Sequence, residues 1–94
     1  MLSLNDKSLL KTQAYVNGTW RNAFSGKTFA VTNPATGEEL AQVADVGAEE
    51  TRQAINAAND ALPAWRAKTA KERAVILRRW YELILAAQED LAVL

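Results

Sequence analysis

Apolar and polar residues alternate singly along the first half of the chain and recur every three or four positions along the second, so the pattern predicts short strands followed by helices. Tyr15-Val-Asn-Gly-Thr-Trp20 joins strand-favouring residues to an Asn-Gly pair. That combination predicts a tight hairpin, with strands over 14–16 and 19–22 closed by a two-residue type I′ turn. Phe24-Ser-Gly-Lys27 reads as a loop, and Lys27 to Thr32 then sets Phe29 and Val31 on one face. Glu39 to Ala44 brings the chain back, with Ala41 and Val43 on one face and Leu40 and Gln42 on the other. The link between these strands, Val31-Thr-Asn-Pro-Ala-Thr-Gly-Glu-Glu-Leu40, is a turn: Pro34 pre-sets φ, Asn33 can bond back to the chain, and Gly37 can take positive φ. Ahead of all this, Leu9, Leu10 and Ala14 behind Asp6 as N-cap predict a helical turn or two packed onto another element.

The second half is helical in period. Gly47-Ala-Glu-Glu50 starts a helix whose positive dipole end favours Asp45, Glu49 and Glu50. Thr51, Ala54, Ile55, Ala58 and Leu62 form one narrow stripe of small residues, which predicts close packing. Pro63 disfavours helical geometry at Leu62, so the helix should end there and leave 64–68 as a connector anchored by Trp65. Thr69-Ala-Lys-Glu72 is a capping box and predicts a second helix from Ala70. That helix places Ala74, Leu77, Tyr81 and Ile84 on one line and Ile76, Trp80, Leu83 and Ala87 on the next, leaving Arg78 and Glu82 for solvent. So wide an apolar face needs covering on two sides, more than the preceding residues supply. Glu89 and Asp90 mark a kink or a fresh helix start, and the pattern breaks off at Leu94 without a C-cap glycine, as in a fragment. The fold class predicted for the chain is α+β: β-hairpins over 1–46, then two or three helices over 47–94.

Composition narrows the chemistry. With no cysteine and no histidine, a thiol nucleophile, a thiolate metal site, a disulfide framework and an imidazole base are all excluded. Eleven Lys and Arg balance eleven Asp and Glu, so no net field draws the chain to nucleic acid or to an anionic membrane. Met1 to Leu10 scatters its leucines among Asn5, Asp6 and Lys7, unlike a signal peptide, and no apolar run reaches the roughly 18 residues of a spanning helix. A cytoplasmic protein is expected. Asn17-Gly18 and Thr36-Gly37 are isolated pairs outside any strand-to-helix phosphate loop. Asn33 and Glu38 are accounted for by turn construction, and Arg73, Arg78 and Arg79 are interleaved with Glu72 and Glu82. Trp20, Trp65 and Trp80 could wall a cofactor but serve equally as anchors of a small core. The expectation is therefore that the chain holds no catalytic, cofactor-binding or metal-binding residue.

In their order and spacing, Tyr15-Val-Asn-Gly-Thr-Trp20, Val31-Thr-Asn-Pro-Ala-Thr-Gly-Glu38, Ala54-Ile-Asn-Ala-Ala58, Trp65 and Glu72-Arg-Ala-Val-Ile-Leu77 resemble the N-terminal segment of an aldehyde dehydrogenase. Leu9-Leu-Lys-Thr-Gln-Ala-Tyr-Val-Asn-Gly18 further resembles the bacterial succinate-semialdehyde branch, with the glutarate-semialdehyde enzymes as near neighbours. The resemblance implies an α/β parent with a Rossmann-like cofactor domain that uses NADP or NAD and assembles as a homo-oligomer, a dimer or tetramer. It implies a cysteine nucleophile and a glutamate base acting on a small aldehyde, all beyond residue 94. The segment itself would scaffold, inactive and binding no cofactor. The alternative is a free-standing α+β interaction module without catalytic activity.

Overall fold

The computed structural model describes residues 2–94; Met1, the first residue of the leader reading, lies outside the described residues. Asp6 caps a 3-10 turn at Lys7–Leu9, its carboxylate accepting from the Ser8 amide at 3.0 Å. The turn stops there and Ala14 is already strand, so the predicted helical stretch is one turn only. Strand β1 (Ala14–Val16) pairs antiparallel with β2 (Thr19–Arg21), Tyr15 opposite Trp20. Asn17 and Gly18 between them both have positive φ, +50° and +79°, the signature of the type I′ turn. Strand β3 (Thr28–Thr32) pairs antiparallel with β4 (Glu39–Ala44), with Phe29 opposite Val43 and Val31 opposite Ala41.

The link between β3 and β4 is built as its residues dictate. Asn33 Oδ1 accepts from the Ala35 amide at 2.9 Å, the Asn33 amide donates to the Glu38 carbonyl at 2.8 Å, and Gly37 has φ +75°. The two hairpins form separate two-stranded sheets. A single such sheet is marginal in water. Ala44 N donates to the Thr12 carbonyl and Asp45 N to the Lys27 carbonyl, which ties the second hairpin to the chain before and beside it.

Helix α1 runs Ala48–Ala67 from an N-cap at Gly47. Pro63 lies inside it, so the expected stop at Leu62 is wrong, and Trp65 belongs to the last turn rather than to a connector. The physical reason is that proline's locked φ is itself helical: it removes one backbone donor and crowds one carbonyl without forbidding the residues beyond it from continuing. The helix ends instead at Lys68, whose backbone is extended and whose amide donates to the Trp65 carbonyl at 3.1 Å. Helix α2 (Ala70–Ala86) starts on the predicted capping box, with Glu72 N donating to Thr69 Oγ1 at 3.1 Å and Thr69 N donating to Glu72 Oε1 at 3.0 Å. Ala87 leaves the helical region, and a short helix α3 (Gln88–Val93) follows.

Packing is much thinner than local structure. Ala23, 6% exposed, is the only buried apolar residue among those described. Half-buried Ala14 and Val16 of β1, with the exposed Phe24 and Val46, line a small cleft beside Glu50 and Gln53 of α1. The small-residue stripe was expected to pack closely and does not: Ile55 is 63% exposed, Leu62 is exposed too, and only Ala54 and Ala57 on that side of α1 are half-buried. On α2, Leu77, Trp80, Tyr81, Leu83 and Ile84 are all exposed. The whole chain exposes 7502 Å², where a self-contained monomer of its mass exposes about 5,400 Å². Its radius of gyration is 16.6 Å against about 12 Å for a compact domain of this length. The elements are complete; the layer that should cover them is not in these residues.

Candidate functional site

The carboxylates that the fold takes out of water are the first place to look for chemistry. Asp90, in the first turn of α3, is 7% exposed. Its Oδ1 accepts from the Asn5 amide at 2.8 Å and its Oδ2 from the Asp6 amide at 2.9 Å. Both oxygens are thus committed to holding the start of the chain against the α2–α3 corner. Glu50, half-buried at the third position of α1, bonds the Gly47 amide through Oε1 at 3.1 Å and the Phe24 amide through Oε2 at 3.0 Å. One carboxylate therefore caps a helix and ties down the loop after the first hairpin.

The two carboxyl groups with perturbed acidity act locally in the same way. Hydrogen bonds from the Ser8 side chain and backbone hold Asp6 below its ordinary range. Those from the backbone and side chain of Thr69 do the same for Glu72. A general acid or base at neutral pH needs the opposite displacement, upward toward 7. These four groups stabilise backbone amides.

The open clefts are similarly unequipped. A groove of about 450 Å³ lies between the first hairpin and α1, lined by Val16, Asn17, Arg21, Gln53, Asn56, Ala57, Asp60 and Ala61. Its polar groups are exposed. A nicotinamide dinucleotide needs backbone amides free to cradle its phosphates, usually at a glycine-rich helix start. Here Gly18, Gly26 and Gly37, the positive-φ glycines, lie in turns between strands. At the N-termini of α1 and α2, carboxylates of the chain itself, Glu50 and Glu72, stand where a phosphate would sit. The residues present do not fit such a cofactor. Among the described residues no group of His, Cys, Asp or Glu is placed to hold a metal ion, and no helix is long and apolar enough to cross a membrane.

The residues singled out in the sequence are not brought together. Trp20 pairs with Tyr15 at 4.9 Å between ring centroids, with Lys11 Nζ 5.3 Å from its ring, while Trp65 and Trp80 sit on other elements. They form no common wall. Arg78 and Arg79 both reach Glu82, at 3.4 and 3.9 Å, and Arg78 lies over Tyr81. Arg73 Nε is sealed without a partner among the described residues. The partners of Glu50 and Asp90 were not foreseen. A Glu three residues after Gly47 signals the helix cap, but nothing local signals Phe24, and Asp90 meets its amides across more than eighty residues of chain.

The comparisons place these elements among known proteins. The chain is 59% identical over 92 residues to the 3-sulfolactaldehyde dehydrogenase of Pseudomonas putida, covering 98% of this chain and 19% of that protein. It is 56% identical over 91 residues to the succinate-semialdehyde dehydrogenase (NADP(+)) GabD of Escherichia coli, covering 97% of this chain and 19% of that protein. The crystal structure of succinate-semialdehyde dehydrogenase from Burkholderia pseudomallei superimposes with a TM-score of 0.91 at 55% identity, over 97% of this chain and 19% of that one. The chain thus spans about a fifth of the length of the proteins it matches. The model of the aldehyde dehydrogenase family matches residues 20–94, and the chain belongs to that family, corresponding to its N-terminal part.

Proposed function

We propose that the 94 residues are an incomplete domain, with the hairpins of 1–46 and the helices of 47–94 serving as scaffold in a longer aldehyde dehydrogenase. None of these residues is assigned a catalytic, cofactor-binding or metal-binding role. The longer protein oxidises a short aldehyde carrying an anion at its far end, succinate semialdehyde to succinate, with NADP as hydride acceptor and NAD as the alternative. It acts as a cytoplasmic homo-oligomer, a dimer or tetramer.

The observation that carries this reading is the match over almost the whole chain to enzymes named for such substrates. Succinate semialdehyde bears a distal carboxylate and 3-sulfolactaldehyde a distal sulfonate, so the shared chemistry is a short aldehyde with an anion at its far end. Glutarate semialdehyde, one methylene longer, belongs to the same class. The excess of exposed surface over that of a self-contained monomer favours this reading over the free-standing module.

The test follows nicotinamide absorbance for the longer protein and for the 94-residue chain, with each cofactor and with succinate semialdehyde, glutarate semialdehyde, 3-sulfolactaldehyde and betaine aldehyde. Turnover by the longer protein, fastest with succinate semialdehyde, and none by the short chain is the expected result. Turnover by the short chain would refute the scaffold assignment, and a preference for betaine aldehyde would refute the substrate class while leaving the family intact.

A further inference from the structure

The corner between α2 and α3 has no cause in its own sequence. Residues 85–89 read Leu-Ala-Ala-Gln-Glu, without glycine or proline, and alanine is the best of all helix formers. Ala87 nevertheless leaves the helical region, at φ −105° and ψ 14°, and α3 begins at Gln88. The Ala87 amide still donates to the Leu83 and Ile84 carbonyls, but among the described residues the Gln88 amide meets no carbonyl of α2. Helix α1 behaves in the opposite way and runs through Pro63, the strongest breaker in the chain. Helices kink at proline, at glycine, at a bulge, or where another group intrudes on the hydrogen-bond ladder. With the first two absent, the cause of this corner lies in what is held against it.

Helix α3 also lacks a start signal of its own. Its N-cap is Ala87, which has no side-chain acceptor. Asp90 stands three residues beyond that cap, the position from which Glu50 and Glu72 turn back to the N-cap amides of α1 and α2. Asp90 does not turn back. Its two oxygens accept instead from the Asn5 and Asp6 amides, at 2.8 and 2.9 Å, and it is the one buried charged residue among those described. Hydrogen bonds to a carboxylate are of the stronger kind, and two of them outweigh the single helical bond that Gln88 forgoes. Leu2, Leu4 and Leu9 of the same segment are half-buried, and Leu9 shares a cleft with Leu83, Leu85, Ala86 and Ala87. One short segment therefore stands against both sides of the corner.

We propose that residues 2–9 are a strap that imposes the α2–α3 corner through Asp90, and that without the strap residues 70–93 form one continuous helix. The corner is then a two-state element. In the closed state α3 is turned to present Asp90 to the strap. In the open state Gln88 donates to the Ile84 carbonyl, and Asp90 is carried away from the Asn5 and Asp6 amides. The strap thereby sets the direction in which the chain runs at Leu94. All of these contacts lie within the 94 residues and do not depend on the activity proposed above.

Crystal structures and residue-resolved hydrogen exchange of the longer protein test it, on the parent, on Asp90→Ala and on a chain lacking residues 2–6. In both variants Ala87 is expected to move to helical φ and ψ, and exchange at Gln88 to slow about fivefold as its amide gains the Ile84 carbonyl. Loss of stability alone would speed exchange at Gln88, so the sign of the change separates release of the corner from general damage. Asp90→Asn, which keeps an acceptor for one amide, should slow exchange at Gln88 by less, and serves where the larger changes prevent folding. Ala87 at its present angles in a variant whose strap has detached, or exchange at Gln88 that is unchanged or faster, would overturn the proposal. Failure of the same protein to oxidise semialdehydes would refute the activity and leave the readout at Gln88 untouched.

Discussion

In the first hairpin Ala14 and Val16 are half-buried beside a cleft shared with α1, whereas on α2 the large apolar side chains all remain exposed. Both elements are well made locally. The hairpin has its type I′ turn and its paired register, and α2 has both bonds of its capping box. Local hydrogen bonds are supplied by residues within three or four positions of one another, so a short stretch of sequence can complete them. Apolar faces need a partner distant in sequence, and among the described residues the hairpins find partial cover while α2 finds none for its large side chains. A chain can therefore hold correct secondary structure over its length while Ala23 is the one buried apolar residue among those described.

The polar contact longest in sequence ties the start of the chain, ahead of the hairpin, to the corner after α2, and removing it should have the largest effect. Asp90→Ala leaves the Asn5 and Asp6 amides without their acceptor, and should cost about 2–3 kcal/mol in the folded protein. Asp90→Asn keeps an acceptor for one amide only and should fall between. Hydrogen exchange at Asn5 and Asp6 checks this: if protection there survives Asp90→Ala, the clasp is not what holds the start of the chain.

Next in size is a change that breaks only the hairpin side. Gly18 has φ +79° and nothing within 4 Å of an added Cβ, so any penalty there is conformational rather than a clash. Gly18→Val should cost about 1–2 kcal/mol, because a branched side chain resists the left-handed region. Exchange at Tyr15 and Trp20 should accelerate while exchange within α2 stays unchanged. Equal acceleration in both would show that the two regions are one cooperative unit.

The smallest effects belong to the cap of α2. Thr69→Ala should cost about 1 kcal/mol and Thr69→Ser almost nothing, since serine keeps the hydroxyl acceptor. Glu72 adds a pH dependence of defined sign. Its folded pKa lies below its unfolded one, so its contribution is complete above the unfolded value and is lost as pH falls through the lowered folded value. Glu72→Gln should remove that acid-side loss from α2 helicity followed by circular dichroism. A variant whose acid limb matches the parent's would show that the carboxylate does not stabilise the cap.

Where the determining residues are close in sequence, the chain alone decided the structure: the Asn17-Gly18 turn, the Asn33–Gly37 turn, the strand carrying Phe29 and Val31, the start of α1 at Gly47 and the Thr69 box all formed as read. Pro63 was misread because its cost, about 3 kcal/mol, falls on one lost donor and one crowded carbonyl while its φ stays helical, and a helix of 20 residues carries it through. The absence of cysteine and histidine was a property of the sequence, and it fixed which reactions these residues cannot supply. Tertiary structure alone decided that Glu50 reaches the Phe24 amide and that Asp90 reaches Asn5 and Asp6, since carboxylates far apart in the chain show no pattern that names their acceptor role. It alone decided that the stripe on α1 stays open, because periodicity states that a face is apolar and only the arrangement of the elements in space states what, if anything, lies against it.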